Sequence, residues 1–461
     1  MSTAEESTVN SSARAGSHGR AVFRRVAATF RRVVLDRVFL FCLAAALLVV
    51  AFAQISGHNT RPIGSDGWGY YLPLPALFIY GDPSLSFLNS PDLPHDVSQY
   101  RAADGIWQGL SRSGSGYRDK YAVGTAVMEF PFFVAALAYQ TQISKSANGF
   151  EMPFQLAIAI SGAFYLALGC YLTYRAASLR YGSLASALAV VFALLATNLL
   201  YYGSFEGSFS HVYGFCLISG LLYLTIRRVD IGGNPHLWEF LLFGFLAGAA
   251  VMVRPTNVIV ALLFIPFARQ ADFRRLAAGT ALGFAASVLA ASPQMLHWHH
   301  TTGDWIYYSY VGEGFNFLKP QLTNYLLSVK KGVFFWHPAY FLMIVALFSQ
   351  LAVRPFETSI MIAIVALNLY IGASWGDPTF GDSFGCRQIV EMVPLLVLPT
   401  AAAISWLLAG RWKWAAAGIA SALIAVNLIQ FYGYMVGALP HNHTSMESYV
   451  AFWADYVGFN L

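Results

Sequence analysis

Val38-Phe39-Leu40-Phe41-Cys42-Leu43-Ala44-Ala45-Ala46-Leu47-Leu48-Val49-Val50-Ala51-Phe52-Ala53-Gln54-Ile55 carries no charge over eighteen residues. That is long enough to cross the hydrocarbon core of a bilayer as a helix. A secretory leader has a shorter apolar core, a small-residue cleavage site and a position at the very N-terminus. This run lies too far in and runs too long, so it reads as an uncleaved span. Arg20, Arg24, Arg25, Arg31, Arg32 and Arg37 precede it and place the N-terminus in the cytoplasm.

Composition extends the reading to the whole chain. Hydrophobic residues make up 57% and charged residues 11%, with mean hydropathy +0.54. Soluble domains carry about 25% charged residues, so this chain lacks the charge for a hydrated surface. The sequence predicts an all-α polytopic membrane protein. The net charge of +5 does not point to nucleic acid, because the basic residues gather at the ends of apolar runs. Cys42, Cys170, Cys216 and Cys386 have no paired spacing, which argues against a disulfide framework or a zinc site.

After the first run comes a long polar loop, 56–120, holding Asp66, Asp82, Asp92, Asp96, Asp104 and Asp119. Within it, 70–80 is aromatic and apolar, and 97–110 has an amphipathic spacing; both are expected to be interfacial helices. Further apolar stretches follow at 121–143, 151–174, 182–201, 209–226, 237–252, 256–268, 276–295, 334–352, 358–374, 389–409 and 414–436. No internal repeat is evident. The chain divides into a disordered basic cytoplasmic tail (1–34), a membrane module (35–295) with the outer loop, and a second loop with C-terminal helices (296–461).

Arg175 with Arg180, Arg227 with Arg228, Arg269 with Arg274 and Arg275, Arg354, and Arg411 with Lys413 are expected on the cytoplasmic side. Alternating spans from 151 onward satisfy every cluster, and the join to the first span then fails by one crossing. The stretch 121–143, which carries Glu129 and Pro131, is therefore expected to be a re-entrant or shallow helix pair. That leaves about eleven full spans, with twelve as the upper count, and an outer C-terminus. In the other reading, Arg175 and Arg180 face outward.

Four polar segments then share the outer face: the first loop, the turn 201–211, the loop 296–332 and the loop 374–388. Asp66, in Gly64-Ser65-Asp66-Gly67-Trp68-Gly69-Tyr70-Tyr71, sits where a carboxylate stays hydrated yet reaches a polar lipid headgroup. Glu206 and His211 add ionisable groups. Arg254 stands on the outer edge against the general charge trend, as a binder of negative charge would. Asp-Gly turn chemistry and an arginine snorkelling to headgroups are the plainer alternatives.

The order of these motifs resembles the GT-C superfamily of membrane glycosyltransferases that use polyprenyl-phosphate sugars, among them protein O-mannosyltransferases and aminoarabinose transferases. The resemblance is carried by Asp66 after the first span, Gly69-Tyr70-Tyr71-Leu72-Pro73, and Asp119-Lys120-Tyr121-Ala122-Val123-Gly124. Further along, Ala249-Ala250-Val251-Met252-Val253-Arg254-Pro255, Lys331-Gly332-Val333-Phe334-Phe335-Trp336 and Trp375-Gly376 with Gly385-Cys386-Arg387 continue it. It implies a GT-C-like helical bundle at a bacterial plasma membrane, with the site on the extracytoplasmic face. It also implies transfer of a hexose or pentose from the lipid-phosphate donor to a hydroxyl of a glycan, lipid or protein acceptor.

On that reading Asp66 takes the acceptor proton. Lys120, Arg254 and Arg387 stabilise the departing phosphate, with His211 as a further donor. Tyr70, Tyr71, Glu206 and Trp375 line the substrate, and Trp107 is another aromatic able to stack on sugar. The first acidic motif has a single Asp, which fits the metal-independent branch, so no metal and no cofactor are expected. His297, His299 and His300 lack an accompanying HExxH motif and read as interfacial loop. A transporter of lipid-linked sugars, or a surface-polysaccharide polymerase or ligase, is the alternative function.

Overall fold

The structure, a computed structural model, describes residues 33–458 apart from 35, 103–104, 145 and 380. The basic tail expected over 1–34 lies almost wholly outside the described residues, as does Asp104. Seven described helices are long and apolar enough to cross a membrane by length and composition: Arg37–Ile55, Met152–Tyr181, Ser210–Ile231, Phe273–Thr302, Pro355–Ser374, Arg387–Ala409 and Lys413–Met435. Four shorter apolar helices, Ser183–Ala196, Leu237–Val253, Pro255–Ala268 and Ala339–Ala352, fall on the remaining expected stretches apart from 121–143. The chain is thus an all-α polytopic membrane protein, its described residues adding a two-stranded hairpin, Leu110–Ser113 against Gly116–Asp119.

Burial separates central helices from lipid-facing ones. Ser210–Ile231 is buried over 78% of its most apolar window, whereas Phe273–Thr302 and Lys413–Met435 reach only 17%. Apolar side chains left open on the outer helices, such as Leu48, Phe284 and Leu289, are what a bilayer solvates. Where two helices must approach closely, side chains vanish. A Cβ on Gly244 would lie 1.9 Å from the Gly283 carbonyl oxygen, and the Ser287 hydroxyl donates to the Gly244 carbonyl at 2.8 Å. Small residues spaced by four on both helices let Leu237–Val253 and Phe273–Thr302 pack backbone to backbone. The end of the first of these helices presents Arg254.

Several expectations are corrected. The stretch 121–143 is one continuous helix, Gly124–Ser144, with Pro131 inside it, rather than a pair of shallow helices. Residues 70–80 form two short helices, Asp66–Tyr71 and Pro73–Phe78, because Pro73 restarts the winding. Among the described residues of 97–110 no long amphipathic helix forms. A single turn, His95–Ser98, is present, and Gly105 (φ 83°) and Gly109 (φ 75°) take left-handed conformations. The apolar spacing there serves a different purpose, since Val97 and Trp107 fill a second core with Trp68, Phe133 and Phe150 beneath the outer loop. The ring of Trp107 meets that of Trp68 edge-on at 5.8 Å.

The stretch 256–268 is also unusual. Pro255–Leu263 is a 3₁₀ helix continued by Phe264–Ala268. A 3₁₀ helix rises about 2 Å per residue against about 1.5 Å for an α-helix, so a short apolar run reaches further. Phe273–Thr302 has 30 residues, and at about 1.5 Å each it outruns a ~30 Å hydrocarbon core. It is longer than a perpendicular crossing requires, and the loop expected to begin at 296 begins after Thr302.

One end of the bundle is tied by charge. Arg180 contacts Asp230 at 2.6 Å and Glu357 at 2.7 Å, with Arg354 3.7 Å from Asp230. The network brings together three of the helix ends that the arginine clusters mark as one side. Asp66, Lys120, Arg254 and Arg387 gather in a separate cluster elsewhere.

Candidate functional site

Asp66 opens a six-residue helix straight after Ser65, whose φ of 48° is a conformation that residues with a Cβ seldom adopt. Arg387 Nη2 lies 2.7 Å from Asp66 Oδ2, and the Tyr121 hydroxyl donates to Asp66 Oδ1 at 2.6 Å. Burial by itself would raise the carboxyl. Arg387, the Tyr121 hydroxyl and Lys120 together more than offset it, and Asp66 titrates below the ordinary carboxylate range. The approach is close enough that a Cβ on Gly69 would lie 2.1 Å from the Tyr121 ring, and one on Gly67 1.9 Å from Ser208 Oγ.

Arg387 owes its position to a buried polar frame. The Asn198 amide donates to the carbonyls of Phe384 (3.2 Å) and Cys386 (2.9 Å) and accepts from the Tyr340 hydroxyl (2.7 Å). The backbone N–H of Phe384 donates to the Tyr202 hydroxyl at 3.1 Å. A loop that would otherwise leave carbonyls unsatisfied in an apolar core is thereby fixed.

Arg254 lies at the end of Leu237–Val253, 3.3 Å from Glu391 Oε1 and 3.1 Å from a ring nitrogen of His211. His211 is in turn 3.2 Å from Glu391. Lys120 reaches outward to Glu313, 2.6 Å away, and lies over the rings of Tyr121 and Tyr310. Tyr310 shares the field of Asp66, Arg254 and Tyr70.

All four expected polar segments therefore meet. Glu206, in the turn after Leu199–Ser204, accepts from the Tyr201 hydroxyl at 3.3 Å. Burial pushes its carboxyl up to about 8; Arg387 pulls it down and Asp66 adds to the rise. Tyr70 packs on Tyr121 with ring centroids 4.7 Å apart. Tyr71 turns away, its hydroxyl donating to the Gly149 carbonyl and its ring packing on Phe133 and Phe150 in the second core. Trp375 pairs with Phe315 and meets Tyr310 edge-on at 5.7 Å. Trp107 belongs to the second core. The histidine tract lies on the last turns of Phe273–Thr302, where the His299 ring stacks on Trp305 at 4.2 Å.

Four residues to which the sequence reading gave no role belong to this cluster. Tyr121 stands one position beyond Lys120 in a motif already noted. Glu391 is hidden inside an apolar run. Glu313 lies in a loop with no motif. Asp119 has one carboxyl oxygen accepting the Tyr121 N–H at 2.9 Å and the other without a partner, and burial pushes it well above the usual range. Further out, the Lys331 ammonium lies between the rings of Trp336 and Tyr434 and donates to the His441 carbonyl, and burial pushes it down to about 7.

Asp119 also lines a half-open apolar cleft of about 300 Å³, walled by Leu72, Leu74, Phe78, Val123, Phe130 and Pro293. Its link to the charged cluster is Asp119, the chain neighbour of Lys120.

No family model matches the sequence, and no curated protein matches it significantly. Among solved structures, the fold is similar to that of ArnT from Cupriavidus metallidurans in the apo state. The likeness has a TM-score of 0.54 at 15% identity, covering 91% of this chain and 68% of that one. At that identity the two chains share an architecture.

Proposed function

We propose that this chain is an integral membrane glycosyltransferase of the GT-C type, moving a sugar from a polyprenyl-phosphate carrier to a hydroxyl of an extracytoplasmic acceptor. The fold shared with ArnT supports the general class. The observation that carries the reading is the convergence of Asp66 with three cations, each paired with an acid, drawn from distant segments near an apolar cleft. A lipid-linked anion has this shape, with a hydrocarbon chain for the cleft and a phosphate for the cations.

In the reaction the acceptor oxygen attacks the anomeric carbon while the bond from that carbon to the phosphate oxygen breaks. The bonding pair leaves with the phosphate, which passes from one negative charge to two. Lys120, Arg254 and Arg387 meet that growing charge, and they count for more where water is scarce. The acceptor proton passes to Asp66. With Arg387 alongside, Asp66 is a weak base. Once the donor phosphate shares Arg387, the lowering effect weakens and the carboxylate becomes more basic. Donor binding thus arms the base.

Arg254→Lys, Arg387→Ala and Lys120→Ala are the test, with donor binding and transfer measured separately, with and without chelator. An ammonium at 254 cannot reproduce the guanidinium fork, so each variant is expected to lose donor affinity. Retained affinity and rate in all three, or loss of activity on chelation alone, would overturn the phosphate cradle.

A further inference from the structure

Each of the three cations already holds a carboxylate: Arg387 has Asp66, Arg254 has Glu391 and Lys120 has Glu313. The three pairs differ in what anchors the acid. The Glu391 side chain is 2% exposed and that of Asp66 18%, and both sit in helices. The Glu313 side chain is 42% exposed and lies in residues 303–321, which contain no helix or strand. Its backbone is held, the N–H donating to the Tyr310 carbonyl at 3.0 Å and the carbonyl accepting the Tyr308 hydroxyl at 2.9 Å, so the carboxylate leaves Lys120 by rotation of its half-exposed side chain beside Gly312 (φ 84°) and Gly314.

The rest of that segment is a strap laid across the site. The Ser309 hydroxyl donates to the Lys120 carbonyl at 2.6 Å, and Arg118 donates to the Tyr307 hydroxyl at 2.8 Å. Beyond Glu313, the N–H of Asn316 donates to the Ser374 carbonyl and that of Gln321 to the Ala373 carbonyl. Tyr310 lies between these anchors, against Tyr121 and in the field of Asp66. Ile306, Val311 and Leu318 stay open on the strap, at 80%, 71% and 95% exposure. Apolar groups shown that freely suit the headgroup boundary, where a lipid phosphate arrives.

We propose that Glu313 is a placeholder anion: its carboxylate occupies Lys120 and holds the strap over Asp66 until the donor phosphate takes the lysine in its place. This rests on the reading of Lys120 as a phosphate ligand. The acid that yields is the one on the irregular segment, and its release frees the strap beside Tyr310, opening a way to Asp66 for the acceptor. The device keeps the lysine paired while no donor is bound and couples donor arrival to exposure of the base.

The test uses the purified full chain in detergent with farnesyl phosphate as the probe and farnesol as the uncharged control. Wild type should bind farnesyl phosphate in preference to farnesol, and Lys120→Ala should lose that preference. Glu313→Gln, isosteric and on an exposed loop, should bind the phosphate roughly two- to fivefold more tightly, the worth of a partly exposed ion pair. Asp304→Asn, which removes a strap carboxylate away from Lys120, should leave affinity unchanged. Amide exchange over 308–315 should rise when farnesyl phosphate binds to wild type, and should already be raised in unliganded Glu313→Gln. If Lys120→Ala behaves as expected but Glu313→Gln binds like wild type, the placeholder is wrong while the phosphate site stands. Equal effects of Asp304→Asn and Glu313→Gln, or strap exchange indifferent to the probe, overturn it as well. No preference for the phosphate in wild type overturns both readings.

Discussion

Replacing Asp66 with Asn separates what holds the site together from what drives the reaction. The amide oxygen still accepts the Tyr121 hydroxyl, 2.6 Å away in the wild type, but the 2.7 Å ion contact with Arg387 is lost. Breaking a fully buried pair costs about 3–5 kcal/mol. Here the two side chains keep 15% and 18% exposure, so water shares the stranded guanidinium and a cost of about 1–2 kcal/mol is expected. The fold should survive. On the proposed role of Asp66 as general base, its loss should slow transfer at least about a hundredfold, or roughly 2.7 kcal/mol at the transition state. Donor affinity should move the other way or stay put, because Arg387 no longer divides its charge between Asp66 and the phosphate. Farnesyl phosphate binding and turnover, measured on the same preparation, read this split as a fall in kcat without a rise in KM. Turnover at the wild-type rate would reduce Asp66 to a structural partner of Arg387. Parallel loss of binding and turnover in a folded variant would make it a donor ligand instead of a base.

Glu206 gives the site a pH limit. Its folded-state pKa is raised from 4.5 to about 8, so the stability contributed by its protonated form is full below 4.5 and is lost as pH rises through 8. Above that value a new negative charge stands beside Arg387, and donor binding should weaken. Glu206→Gln should flatten both the thermal-stability profile and the alkaline fall in donor affinity; an unchanged alkaline limb would clear Glu206 of the role. Gly69→Ala places a methyl group against the Tyr121 ring, 2.1 Å away before relaxation. Overpacking of that kind costs about 1–3 kcal/mol, and Tyr121 should be pushed off Asp66 with a loss of transfer. A fully active Gly69→Ala variant would mean that Tyr121 does not set the Asp66 carboxylate.

The membrane architecture was legible because length and apolarity are dictated by the bilayer, residue by residue, with no need of tertiary information. Asp66 stood out for a related reason, as a carboxylate among Gly and aromatic residues just past a span, and the fold brings it against Arg387 and Tyr121. The partners of the cations were not legible. Glu391 sits among Ile389, Val390, Met392 and Val393, where local pattern reads simply as a span, and its pairing with Arg254 and His211 is a long-range fact. Tyr71 and Trp107 had the composition of sugar-stacking residues, but the outer loop needed a core of its own and took them for it. The misread helix over 97–110 has the same origin, since apolar spacing records which residues are buried and leaves open whether a helix or an irregular chain buries them.

The most direct test of the central claim is mass analysis of the lipid released when the reconstituted protein is supplied with polyprenyl-phosphate sugars and candidate hydroxyl acceptors. The account predicts polyprenyl monophosphate and a new glycoside in equal amounts, with neither formed by Asp66→Asn. Release of a polyprenyl diphosphate, or recovery of the intact donor moved across the bilayer with no glycoside formed, would contradict it.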